Sequence, residues 1–424
     1  MEISAVMQAS EAQAVARRPK AIHIRLSALI LLEFMVFGAW FATLGLVLAT
    51  HGLAPFIGNA YFISAVGAIV SPMLIGAVAD RLMSAQKVFA ILHLIGACIL
   101  FTIPHFIAQR NGDDVVGMIF AYMIFFMPTL GLVISIPLYH MQDRTHFFPY
   151  VRVFSPFGWF LGAIIVGALG FSASTNTFMF AGVISLVLAA YALTIPNTPP
   201  ALANARFDFG DLIGAKAFVL FKQRNFFVLM VCTFLTAVSL GVYNAFASPY
   251  LGALGIKNVS GVLAIGQFSE VVFVLTIPFV LARIGMKWAI LAGMAMWGIR
   301  FGLFMLAPGH VALAVVAVGL HGICNDFFLI VAAMYIDRVT PPALKAQAQG
   351  FLVLMLSGIG GAVGAKVGGY IFVNQIIPNM AKGPAVWAPL WMVPMVVAVF
   401  VSIIWVAIFK YDRRQEAADA RKAA

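Results

Sequence analysis

Seven ionisable side chains sit inside long apolar runs, and their types suit the handling of protons and of hydroxyl-rich molecules. The run GQFSEVVFVLTIPFV, residues 266–280, carries Glu270 with Gln267 one turn earlier on the same helical face. A second run holds His321 and Asn325 four apart, with Asp326 one step further round. Arg300 lies deep in a third run, Glu33 in a fourth and Lys366 near the end of a fifth. Arg152 and Trp159 are seven apart, hence on one helix face. They offer forked donors for hydroxyls beside a flat indole for a ring to stack on. A carboxyl group kept from water favours its neutral form, so it can take up and release a proton near neutral pH. Glu270 and Asp326 are therefore the candidate proton carriers, with Arg300 as their cationic partner. Glu33 is a further candidate for proton coupling as a second acidic group of the same pocket; the alternative for it is an ordered packing contact. A static ion pair of Arg300 with Glu270 or Asp326, holding helices together, is the competing account. For Arg152 and Trp159 it is a headgroup contact and a packing role.

The elements that must position these groups follow from composition. Hydrophobic residues make up 63% of the 424 and charged residues 10%, far from the balance of soluble domains. Twelve apolar runs are long enough to cross a bilayer as helices: 26–48, 57–79, 87–108, 115–139, 150–172, 177–196, 226–250, 259–282, 287–307, 310–336, 346–372 and 386–409. A barrel would instead alternate over short strands. The chain is thus read as an all-α, polytopic membrane protein.

Lysine and arginine set its orientation, because they concentrate in cytoplasmic loops. Arg17, Arg18, Lys20 and Arg25 precede the first run; Arg81, Lys87, Arg144, Arg206, Lys216, Lys222, Arg224, Arg283, Lys287, Arg338 and Lys345 follow even-numbered ones; Lys410, Arg413, Arg414, Arg421 and Lys422 end the chain. Only Arg110, Lys257 and Lys382 occupy the opposite loops. Both termini are expected in the cytoplasm of a bacterial inner-membrane protein. The net charge of +11 then meets lipid headgroups rather than nucleic acid. No removable signal segment is expected at the polar N-terminus. Cys98, Cys232 and Cys324 are too far apart for a disulfide framework or metal spacing. No metal or organic cofactor is expected.

The longest polar interruption, residues 197–225, divides the chain into residues 1–196 and 226–424. Each part holds six runs with a charged turn after its second, GAVADRLMSAQK and LARIGMK. Six plus six in this pattern is the arrangement of major facilitator transporters, whose halves rock about a midplane site. Pro128, Pro137 and Pro278 lie inside runs and should bend them. The small residues of SGIGGAVGAKVGG, 357–369, should let the eleventh helix approach a neighbour.

An ordered set of segments then carries a resemblance: FGAWFATLG, GAVADR, MPTLGL, VRVF, LTIPNTP, QFSEVVFVLTIPF, IRFGLF, NDFF and AQAQG. In this order they resemble the nucleoside:proton symporters of the major facilitator superfamily, nearly end to end. The resemblance implies proton-coupled nucleoside uptake by alternating access, H+ as coupling ion, and a monomer. It places Arg152, Asn244, Gln267, Glu270 and Asp326 at the family's pocket positions, with the two acids tied to proton coupling and substrate hydrogen bonds. Departures from the family pattern fall at Pro156, Trp159, Gly241, His321 and Asn325, part of the base-facing lining. The Arg152–Trp159 spacing, with Arg300 and His321, also resembles the oligosaccharide:proton symporters, so a sugar or glycoside symporter is the alternative. The drug-efflux branch lacks its helix-five Gly-Pro-Gly-Gly signature here. No nucleophile–base pair or phosphate-binding loop suggests an enzyme, and the two-half design disfavours a channel.

Overall fold

The structure, a computed structural model, describes residues 22–71, 83–141, 151, 153–200, 215–411 and 415. Twelve apolar helical segments lie in these residues: α1 (Ile22–Thr50), α2 (Ala54–Ser71), α3 (Ala85–Ala108), α4 (Gly112–His140), α5 (Phe154–Ala168), α6 (Asn176–Ala192), α7 (Arg224–Ala253), α8 (Val259–Val274), α9 (Ile277–Leu306), α10 (Val311–Val339), α11 (Pro342–Lys382) and α12 (Pro384–Ile408). Nine are long and apolar enough to cross a membrane; α5, α6 and α8 are shorter. Arg152, and the cations Arg17, Arg18, Lys20, Arg81, Arg144, Arg206, Arg413, Arg414, Arg421 and Lys422, lie outside the described residues.

The breaks follow from local chemistry. The segment expected to run to 282 leaves the helix at Leu275 and restarts at Ile277, because Pro278 brings no N–H and its ring clashes with the preceding turn. The loop expected between 282 and 287 is reduced to Gly285, whose φ of 76° suits only glycine. Pro128 and Pro137 are carried inside α4 without interruption. Among the described residues three stretches widen to π-helix, Asp326–Ile330 in α10 and Leu354–Gly360 and Phe372–Ile376 in α11. Such widenings cost hydrogen-bond geometry and often mark functional positions.

Six helices pack in each half, α3 on α4 and α6 in the first and α9 on α10 and α12 in the second. Across the halves, α5 faces α8, α2 faces α11 and α1 faces α7. The cross-half hydrogen bonds among the described residues gather at one end. Leu46 N donates to Ser248 Oγ at 3.2 Å, Ser260 N to Ser172 Oγ at 3.2 Å, and Ser260 Oγ to the Ala163 carbonyl at 2.8 Å. Lys366 does not only extend toward headgroup level. Its Nζ donates to Asn59 Oδ1 of α2 at 2.7 Å and sits 4.5 Å from the Phe62 ring.

Glycine makes this closure possible at α2 and α11. A Cβ on Gly58 would lie 2.7 Å from Gly369 Cα, inside van der Waals contact. Gly58→Leu should therefore prop this end apart. The expected result is faster labelling of an Asn59→Cys reporter by a membrane-impermeant maleimide. Unchanged labelling would mean the two helices part without cost.

Candidate functional site

A pocket lies between the halves, lined by Phe41 and Ala42 of α1, Trp159 of α5, Tyr243, Asn244 and Ala247 of α7, Leu263 and Gln267 of α8, and His321 of α10. Four residues singled out from sequence, Trp159, Asn244, Gln267 and His321, are thus brought to one wall-to-wall space. The indole of Trp159 is held edge-on by Phe37 at 4.7 Å and by Phe41 at 6.2 Å. It faces two side-chain amides and an imidazole on the other half. An aromatic platform opposite amides and a ring nitrogen can stack a flat heterocycle and hydrogen-bond its edge.

Behind His321 runs a polar chain into the second half. Arg300, fully buried in α9, brings Nη1 to 2.6 Å from His321 Nδ1. His321 Nε2 lies 2.9 Å from Glu270 Oε1, and Asn325 Nδ2 donates to the same oxygen at 2.7 Å. Arg300 has no acceptor, so Nδ1 must present its lone pair and the ring's single proton sits on Nε2. His321 is then neutral and donates to Glu270. Both donors fall on Oε1, which leaves Oε2 for a proton or a ligand hydroxyl. The 3.1 Å approach of Asn325 Nδ2 to His321 Nε2 follows from two donors converging on one oxygen.

The direct ion pair expected of Arg300 with a carboxylate is absent among the described residues. His321 stands between cation and acid. The rest of the guanidinium is sheathed in rings, with Cζ 3.7 Å from the Tyr243 centroid and 5.0 Å from that of Trp297. Its Nε and Nη2 have no hydrogen-bond partner among the described residues. Ring faces attract a desolvated cation by about 2 kcal/mol, so the charge is held without an anion in contact. Asp326, 4% exposed at the start of the π-helical stretch, lies near enough to Glu270 for their charges to oppose. Arg300, His321, Asn325, Glu270 and Asp326 thus form one largely buried polar cluster in the second half.

Not every expected residue converges here. Glu33 is fully buried among helices of the first half, against His93 and Thr129, and does not line the pocket. Gly241, grouped with the base-facing lining from sequence, instead packs on α11: a Cβ there would sit 2.5 Å from the Gly361 carbonyl. Asn325 supports Glu270, and Pro156 falls in the first turn of α5. Conversely, sequence reasoning passed over Tyr243, Phe41 and His93. Tyr243 adjoins Asn244 in an apolar run, and nothing in its spacing marks it as the cover for a cation 57 residues away. Among the described residues no cluster of His, Cys, Asp and Glu could hold a metal.

Comparison with known proteins bears on this geometry. The family model described as nucleoside H+ symporter matches residues 20–414. The chain is 31% identical to the putative nucleoside transporter YegT of Escherichia coli (strain K12) over 408 residues, covering 91% of this chain and 93% of that one. It is 30% identical to the nucleoside permease NupG of the same organism over 412 residues, covering 92% and 96%. A crystal structure of nucleoside transporter NupG superposes with a TM-score of 0.80 at 28% identity, over 92% of this chain and all of that one.

Proposed function

Because the chain belongs to the nucleoside H+ symporter family, we propose that the pocket between its halves is where nucleoside and proton meet. The protein takes up nucleosides with protons across the membrane and has the major facilitator fold. The sugar or glycoside alternative is not favoured, since the family model and the relatives at 30% identity or more are described as nucleoside transporters.

In this reading Trp159 stacks one ring of the nucleoside and Asn244 and Gln267 hydrogen-bond it; Arg152, seven residues before Trp159 in the sequence, is the expected donor to its hydroxyls. Glu270 meets the sugar hydroxyls through Oε2, with His321 and Asn325 aligning its other oxygen. Glu270 and Asp326 exchange the coupling proton against the fixed charge of Arg300. Glu33 is assigned a different part below. Residues 1–196 and 226–424 act as the rocking halves, joined by the linker 197–225. The Lys and Arg distribution supports cytoplasmic termini. The end gathered by Ser248, Ser260 and Lys366 is then the outer gate, and the pocket belongs to an inward-facing state of a monomer.

The observation that carries this proposal is the chain from Arg300 through His321 to Glu270, which meets the pocket wall at His321 and has both donors on Oε1 of the acid. Its test is uptake of labelled uridine or adenosine into proteoliposomes. Uptake should rise with an inward proton gradient and fall with an uncoupler; gradient-independent uptake would overturn it.

Trp159 has a separate test. Trp159→Ala should weaken nucleoside binding by about 1–3 kcal/mol, the range for a base stacked on an aromatic side chain, and Trp159→Phe should keep part of it. Titration calorimetry of the purified protein measures both. Parent-like affinity in Trp159→Ala would make the indole a packing residue.

A further inference from the structure

A second polar cluster lies wholly in the first half. Glu33 of α1 accepts from Thr129 Oγ1 of α4 at 2.5 Å through Oε1, and its Oε2 is 2.6 Å from His93 Nε2 of α3. His93 Nδ1 is 2.9 Å from Ser185 Oγ of α6, and Ser185 Oγ lies 3.0 Å from the His93 carbonyl. Glu33 is 0% exposed and His93 2%. Four helices meet at this point.

A hydroxyl has one hydrogen. Ser185 therefore donates to the His93 carbonyl and accepts from Nδ1–H, and Thr129 divides its hydrogen between Glu33 Oε1 and the Phe126 carbonyl. The groups facing the pair among the described residues are Thr129 and Tyr122 of α4, Ser185 of α6, and the rings of Phe89 and Phe126. The cluster is closed to solvent, and neither Glu33 nor His93 lines the pocket between the halves.

The cluster is mechanically joined to the pocket. Phe37 sits one turn beyond Glu33 on α1, packing on Phe126 at 5.0 Å and edge-on to Trp159 at 4.7 Å. Phe126 supplies the carbonyl that also receives the Thr129 hydroxyl at 2.5 Å. One turn further, Phe41 lines the pocket. Phe37 thus touches both aromatic residues of the first-half wall, Trp159 on α5 and Phe41, which lies 4.6 Å away where α1 is interrupted by a turn.

We propose that Glu33 and His93 form a brace between helices that positions Trp159 and Phe41, and that the coupling proton does not exchange there. The brace rests on the reading that Trp159 contacts the nucleoside. Purified variants are titrated with uridine or adenosine, and the same proteins are assayed for proton-driven uptake in weakly buffered vesicles. Glu33→Ala and His93→Ala should raise Kd roughly two- to tenfold, the range lost with a misaligned aromatic contact. Glu33→Gln keeps the shape and can still accept from Thr129, so it should restore parent affinity and leave lumen acidification intact. Phe37→Ala cuts the link while sparing the cluster, and should raise Kd by the same factor. It decides the matter if Glu33→Ala does not fold. Parent-like Kd in Phe37→Ala, beside a weakened Trp159→Ala, overturns the brace and leaves the pocket standing. Parent-like Kd in Trp159→Ala brings down the pocket reading itself. A Glu33→Gln protein that binds normally but no longer acidifies the lumen would make Glu33 a coupling group instead.

Discussion

Glu270→Gln is expected to abolish proton-driven accumulation of nucleoside while sparing substrate exchange. Glutamine has the shape of the protonated acid and cannot lose a proton. Its carbonyl oxygen can still accept from His321 Nε2 and Asn325 Nδ2, as Oε1 of Glu270 does. The pocket is therefore held in the form that the proton-loaded carrier has, and the step that needs an empty, charged acid is removed. Binding falls by no more than the loss of one hydrogen bond to a charged group, about 1.5–3 kcal/mol. Uphill transport needs the proton to leave on the cytoplasmic side, so it falls to background. Counterflow of labelled against unlabelled nucleoside, without a proton gradient, should persist. The deciding measurement is lumen pH in weakly buffered vesicles on adding substrate. If Glu270→Gln still acidifies the lumen and accumulates substrate like the parent, coupling belongs to Asp326 and Glu270 only binds.

Arg300→Met should do broader damage, lowering folding stability and eliminating uphill uptake together. The guanidinium is fully buried, covered by Tyr243 and Trp297, and linked through His321 to Glu270. Breaking a buried charge constellation by removing one member costs about 3–5 kcal/mol when the others stay charged. Methionine fills much of the volume, so most of this loss is electrostatic rather than a cavity. The substitution also frees His321 Nδ1 from a donor that forbids its protonation. The imidazole can then become a cation beside Glu270, and the acid is no longer free to take the coupling proton. A second change separates charge from packing. In Arg300→Met with Asp326→Asn, one negative charge is withdrawn and stability should be partly regained, a coupling that a double-mutant cycle reads directly. Additive losses in melting temperature would show that Arg300 serves packing. Arg300→Lys keeps the charge but not the planar fork, and should recover stability better than uptake.

Much of the site was legible because a membrane leaves few uses for an ionisable side chain. Glu270, Asn325, Asp326, His321 and Arg300 stood out in apolar runs, and the structure gathers them on three neighbouring helices of one half. The pairing within that group was not legible. Sequence reasoning joined the permanent cation to an acid, whereas the fold interposes a neutral histidine and wraps the cation in rings. Tyr243 illustrates the reason. A tyrosine among so many aromatic residues carries no mark of which charge it covers, since that depends on the rotation of α7 against α9. Gly241 errs in the opposite direction: its place in a familiar pattern suggested the pocket, and its missing Cβ serves the approach of α11.

The amino-acid sequence by itself determined that this chain is an all-helical membrane protein with two matched sets of apolar runs. The cost of placing polar backbone and charge in hydrocarbon makes those features a property of local composition. It also determined which side chains could carry protons, because their expense inside such runs requires a compensating use. Only the tertiary structure decided what each of them does. The contacts that assign the roles join residues far apart in the chain, 55 positions between Glu270 and Asn325 and 96 between Glu33 and Thr129. Each depends on how two helices are rolled and how deeply they are set against each other. Those quantities come from the packing of all twelve helices together. Two acids, both isolated in apolar helices, therefore ended differently: Glu270 against a histidine that lines the pocket, and Glu33 against one sealed inside the first half.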